Sequence, residues 1–157
     1  MLSTSRVTAA LIVPAFSLIV LGAGCGGSGT TVNPLTNTIT SEDQAGNTLV
    51  AGDNATIPAN FPSDFPQYPG AKTIFAYTVA QDQSGSLMQE TQDTLEQTQT
   101  NIERLMQTQG YEKVTTSASP DIVILSFKKD TVRFQVNIAR QASGTQIQSV
   151  RAVNQGQ

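Results

Sequence analysis

Apolar and polar positions alternate most cleanly between residues 131 and 139. Val132, Phe134, Val136 and Ile138 fall on one side of an extended chain, and Arg133, Gln135 and Asn137 on the other. Such a period of two marks a half-buried antiparallel strand. Residues 121–128 (DIVILSFK) form a second apolar run, joined to the first by Lys129-Asp130. Residues 71–79 (AKTIFAYTV) are β-branched and aromatic, and 86–90 follow a turn at Asp82-Gln83-Ser84-Gly85. Tyr111–Thr116 adds another strand. Thr145–Val153 is a last one, whose apolar positions Ile147, Val150 and Val153 break strict alternation. A bulge or an edge position accounts for such a break.

One segment has helical spacing instead. Leu95, Thr98, Ile102, Leu105, Met106 and Gln109 share a face. Asp93 with Glu96 makes a cap-like start, and Gly110 supplies the stop. The expected order is β-β-α-β-β-β-β over residues 71–154. It is an α+β fold, with an antiparallel sheet of five to six strands and one amphipathic helix packed on one face.

The N-terminal pattern is different in kind. Residues 7–21 (VTAALIVPAFSLIVL) are apolar apart from Thr8 and Ser17, and follow a start whose one charged side chain is Arg6. At about 1.5 Å per residue such a helix reaches only about 22 Å, short of the roughly 30 Å bilayer core. Positive start, apolar run and small residues define an export signal over 1–24. Leu21-Gly22-Ala23-Gly24-Cys25 resembles the lipobox of bacterial lipoproteins. The resemblance implies that the Cys25 thiol receives a diacylglyceryl group and that the Gly24–Cys25 bond is cleaved. It places the protein in a bacterial cell envelope, on the extracytoplasmic side of the membrane that holds its lipid. Two or three acyl chains give stable anchoring where one gives marginal binding.

Residues 25–56 are rich in Gly, Ser, Thr and Asn and lack aromatics. They read as a flexible lipidated tether, with a coil reach of about 30 Å. Residues 57–70 (IPANFPSDFPQYPG) form a proline- and aromatic-rich entry segment that is extended or turning, its aromatics docking at the edge of the following domain. Phe61-Pro62-Ser63-Asp64-Phe65-Pro66-Gln67-Tyr68-Pro69-Gly70-Ala71 resembles an F-P-x-D-x-P-x-Y-P-G-A signature of exported bacterial lipoproteins that precedes a small α+β domain. Gly110-Tyr111 fills the place where the helix of those proteins ends. The resemblance implies a fold and no particular activity.

Composition narrows the chemistry. Nine Lys+Arg against twelve Asp+Glu leaves a net charge of −3, which argues against nucleic-acid binding. There is no His, and Cys25 is the only cysteine. His-based acid–base catalysis, His/Cys zinc sites and an internal disulfide are thereby excluded. Asp93, Glu96 and Glu103 read as helix cap and solvated face, Asp121 and Asp130 as turn residues. No catalytic residue, metal site or cofactor is expected. The candidate binding face is the uncovered side of the sheet, with Lys128, Arg133, Gln135 and Arg151. The irregular last strand is the candidate edge for strand addition. The expected role is a non-enzymatic binding module for an envelope protein or polymer. Its alternatives are a small carboxylate-dependent envelope hydrolase and a structural subunit of an envelope assembly complex.

Overall fold

The computed structural model describes residues 29–154. The export signal, Gly24 and Cys25 lie outside the described residues. Nine strands and one helix follow in chain order: β1 (Gly29–Asn33), β2 (Thr38–Glu42), β3 (Thr48–Gly52), β4 (Lys72–Thr78), β5 (Gly85–Thr91), α1 (Leu95–Thr108), β6 (Glu112–Ala118), β7 (Ile122–Lys129), β8 (Val132–Gln141) and β9 (Gly144–Val153). All strands join one sheet in the order β1-β2-β3-β4-β5-β9-β8-β7-β6, and every neighbouring pair is antiparallel.

The α+β class with one helix on the sheet stands, but the sheet is larger than the five to six strands expected. The surplus comes from residues 29–52. Their polar composition reads as a tether, and they form β1, β2 and β3 instead. Thr30, Thr31, Thr38, Thr40 and Thr48 explain this physically. Threonine is polar in composition but β-branched in shape, and fits a pleated surface. The β3–β4 pairing, Leu49 against Tyr77 and Val50 against Ala76, then attaches this meander to the later strands.

The helix begins one residue later than Asp93 and Glu96 suggest. Thr94 is the N-cap, its hydroxyl accepting from the Gln97 N–H at 3.3 Å while Gln97 Oε1 accepts from the Thr94 N–H at 3.0 Å. This reciprocal pair satisfies two donors that would otherwise be orphaned. Asp93 is diverted because its carboxylate accepts from the Tyr68 hydroxyl. Gly110, at φ 81°, ends the helix in a conformation that disfavours a side chain. Leu95, Thr98, Ile102 and Met106 are buried, and α1 packs on β6, β7, β8 and β9.

The entry segment completes the cover on the same side. Phe61, Phe65 and Tyr68 belong to the core with Leu87, Phe134, Ile138 and Ile147, rather than sitting at a domain edge. Phe65 meets Phe134 edge-on at 5.1 Å, and Tyr111 meets the same ring at 5.2 Å. Burying each such ring is worth about 1.5–3 kcal/mol. The segment runs as successive turns, with the Phe61 N–H donating to the Pro58 carbonyl, the Phe65 N–H to Pro62 and the Ala71 N–H to Tyr68, the last turn holding Pro69 and Gly70 at its centre.

The last strand is corrected in two respects. β9 is not an edge: it lies between β5 and β8, paired without a register shift to either. Its alternation is intact, with Thr145, Ile147, Ser149 and Arg151 all turned to the covered side and buried. Three of those four are polar, which hides the period in the sequence. The true edges are β1 and β6, both exposed along their length.

Candidate functional site

One face of the sheet is covered by α1 and the entry segment, and the other carries no element of the described chain. Strand alternation and register assign residues to this open face. One row across the strands runs Val32, Ile39, Ala51, Phe75, Met88, Gln148, Asn137, Ile124. The next runs Thr30, Ser41, Leu49, Tyr77, Ser86, Val150, Gln135, Ser126. The face therefore divides. From β1 to β5 it is mostly apolar, and from β9 to β6 mostly polar.

Three of the four sequence-derived binding residues meet on the polar half. Lys128 and Arg133 are directly opposed on β7 and β8, and Gln135 is one same-face position further along β8. Lys128 is partly neutralised by Glu112 at 3.1 Å. Arg133 has no carboxylate within ion-pair distance among the described residues. Beside it a chain of amides runs along β8 and steps across to β9. Gln135 Nε2 donates to Asn137 Oδ1 at 3.1 Å, and Asn137 Nδ2 donates to Gln148 Oε1 at 3.2 Å. A shallow depression of about 430 Å³ is lined by Thr115, Ser126, Arg133, Gln135, Val150 and Ala152, among others. The half offers the Arg133 guanidinium, several amide and hydroxyl groups, and the exposed apolar side chains Ile122, Ile124 and Val150 between them. That inventory suits hydrogen bonding to a polar chain and contains no poised nucleophile.

The fourth residue, Arg151, is not part of this face. Its side chain is 8% exposed on the covered side, where Nε lies 3.1 Å from Asp64 Oδ1 and donates to Oδ2 at 3.2 Å. One terminal N–H donates to the Gln83 carbonyl at 2.7 Å. The same Asp64 accepts from the Tyr111 hydroxyl at 2.6 Å. Burial first, then donation to Asp64 and the charge of that carboxylate, push the Tyr111 phenol well above its ordinary range. Arg151 thus ties the entry segment and β6's approach to the centre of the sheet. A charge is tolerated there because it is paired and hydrogen-bonded.

A parallel arrangement holds the other end of the entry segment. The Tyr68 N–H donates to Gln89 Oε1 at 3.0 Å, its hydroxyl donates to Asp93, and Asn101 Nδ2 donates to that hydroxyl at 2.7 Å. Burial raises the Tyr68 phenol too, ahead of the smaller and opposing hydrogen-bond effects. Asp64 and Tyr68, two of the polar positions of the proline-rich segment, are therefore fastenings of the cover.

Several other carboxylates lie against cations. Glu103 lies 2.8 Å from Lys113 beside a concavity of about 380 Å³, and Glu96 and Asp121 converge on Arg140 at 3.2 and 3.4 Å. Among the described residues no group of three or more His, Cys, Asp or Glu side chains comes together as a metal site would require. The apolar half of the open face escaped the sequence reading, because Val32, Ile39, Leu49 and Ala51 lie in the segment taken for tether. The signal available was the β-branched content of 29–52.

No family model, no curated protein and no solved structure matches the chain.

Proposed function

We propose that this chain is a lipid-anchored lipoprotein of the bacterial cell envelope that works as a non-enzymatic binding module. In this reading the signal over 1–24 is removed by cleavage at Gly24–Cys25. Acyl chains on Cys25 hold the protein on the extracytoplasmic side of a membrane. The lipobox-like stretch supports the anchor. The uncovered sheet face carries the binding role: Arg133, Gln135 and Asn137 follow one another along β8, and Gln148 lies beside Asn137 on β9, with nothing of the described chain packed over them. Such a row presents hydrogen-bond donors and acceptors at strand spacing, which fits an extended envelope polymer or a protein strand. The hydrolase reading gains little support, because Asp64 and Asp93 each receive a tyrosine hydroxyl, and Glu96, Asp121 and Glu103 lie against cations.

Two measurements test the proposal. Cells fed a clickable palmitate incorporate label into the wild-type protein and lose it in Cys25→Ala; equal labelling of the two contradicts the anchor. Purified mature protein leaves peptidoglycan, esters and peptides unchanged. Turnover of any of them with a carboxylate-dependent pH profile contradicts the binding role.

A further inference from the structure

We infer that the apolar half of the open face, Val32, Ile39, Leu49, Phe75, Tyr77 and Met88, is a lipid-contact surface that lays β1–β5 against the membrane holding the anchor. This rests on the proposed acylation of Cys25. The register puts these side chains on one continuous area, Val32 next to Ile39, Leu49 next to Tyr77, and Phe75 next to Met88. No charged side chain interrupts the two rows between β1 and β5. The large residues of this area are not packed on the core, which lies on the other side of the sheet. Val32 is 63% exposed, and Leu35, in the connection that follows it, is 95% exposed. Apolar patches of this kind mark surfaces that meet an apolar partner.

The position of the anchor selects lipid as that partner. Cys25 precedes Gly29, the first residue of β1, by four residues, and four extended residues span at most about 14 Å. Strands stand about 4.8 Å apart, so Met88 on β5 lies roughly 19 Å across the sheet from β1. Acyl chains on Cys25 are therefore confined to within a few strand widths of this area. The tether expected from composition, with its reach of about 30 Å, is replaced by a short tie that holds the sheet down. Tyr77, an apolar ring with a polar hydroxyl, suits the level of lipid headgroups. Arg133 and Gln135 on β8 lie six strand steps across the sheet from β1, roughly 29 Å, beyond the area next to the anchor. The apolar half rests on the lipid and the polar half lies outside it.

The test uses introduced tryptophans, since the chain has none, and its single thiol. Mature protein beginning at Cys25 is coupled through that thiol to a maleimide lipid in phosphatidylcholine vesicles whose acyl chains carry bromine, a contact quencher. The coupling holds whether or not cells acylate Cys25, which is read separately from the mass of the N-terminal peptide. Failure of the anchor and failure of the lipid surface are thus distinguishable. Val32→Trp and Met88→Trp are compared with Gln135→Trp. Val32→Trp is at an exposed position and does not endanger folding. The expected result is loss of most emission at positions 32 and 88 and retention at 135. Retention at all three positions overturns the inference, as does equal loss at all three or loss at 32 alone. Emission at 88 that is already blue-shifted without vesicles and unquenched with them assigns the surface to a second copy of the chain, and also overturns it.

Discussion

On the covered face of the sheet apolar side chains form the core, and the polar ones at its two fastenings have partners within the chain. Arg151 has Asp64 and the Gln83 carbonyl, Gln89 has the Tyr68 N–H, and the Thr145 hydroxyl donates to the Asp93 carbonyl at 2.7 Å. On the open face the arrangement differs. Phe75, Tyr77, Met88 and Val150 share a surface with Arg133 and an amide chain, and no described element lies across them. The same strands feed both faces, so propensity does not separate them. What separates them is whether the chain itself supplies the partner. The covered face holds the molecule together, and the open face is where something outside it is met.

The largest effect that sharpens this contrast comes from paired aromatic truncations. Phe134→Ala, at the centre of the covered face, is expected to cost about 3–5 kcal/mol in urea unfolding. Phe75→Ala on the open face costs about 1 kcal/mol, because that ring is only partly removed from water. Equal losses would make the open face a second core. Next in size is the buried ion pair. Asp64→Ala leaves Arg151 unpaired and costs about 2–3 kcal/mol, below the usual range for a broken buried pair because Asp64 keeps a third of its surface in water. Arg133→Ala changes stability by no more than about 0.5 kcal/mol.

A smaller effect is pH-dependent. The Tyr111 phenol ionises at higher pH in the folded protein than its ordinary value of 10.0. Its contribution is complete below that value and is lost as pH rises from there through the folded value, because the unfolded chain releases the proton first. Stability is therefore expected to fall above pH 10, and Tyr111→Phe flattens that fall; an unchanged alkaline slope in Tyr111→Phe contradicts it. The last comparison lies at the start of α1. Thr94→Ala costs about 1 kcal/mol, whereas Glu96→Ala, exposed and paired only with Arg140, costs a few tenths. The reverse order would restore Asp93 and Glu96 as the cap.

Residues 131–139 were legible because from Val132 to Ile138 every covered position is apolar and every open one polar, which is the pattern a one-sided sheet writes into a chain. The helix was legible to within a residue for the same reason, and its cap was missed because a tyrosine from the entry segment takes Asp93. β9 was not legible: its covered side carries Thr145, Ser149 and Arg151, and the partner that makes Arg151 acceptable lies 87 residues earlier. β1–β3 were hidden by composition. β1 and β2 have one apolar residue each and β3 has three, and those on the open side form a surface only when five strands are laid side by side. Lys128, Arg133 and Gln135 were found together because each lies on a strand whose alternation could be read; Arg151 was misplaced with the strand that could not.

The most direct measurement is site-specific photo-crosslinking in the cell, with the same reactive residue placed at Gln135 on the open face and at Gln107 on the exposed side of α1. The account predicts a discrete, reproducible adduct from position 135 that is lost in Arg133→Ala, and none from position 107. Adducts from position 107 alone, or equal adducts from both, would mean that the uncovered sheet is not where this protein meets its partner.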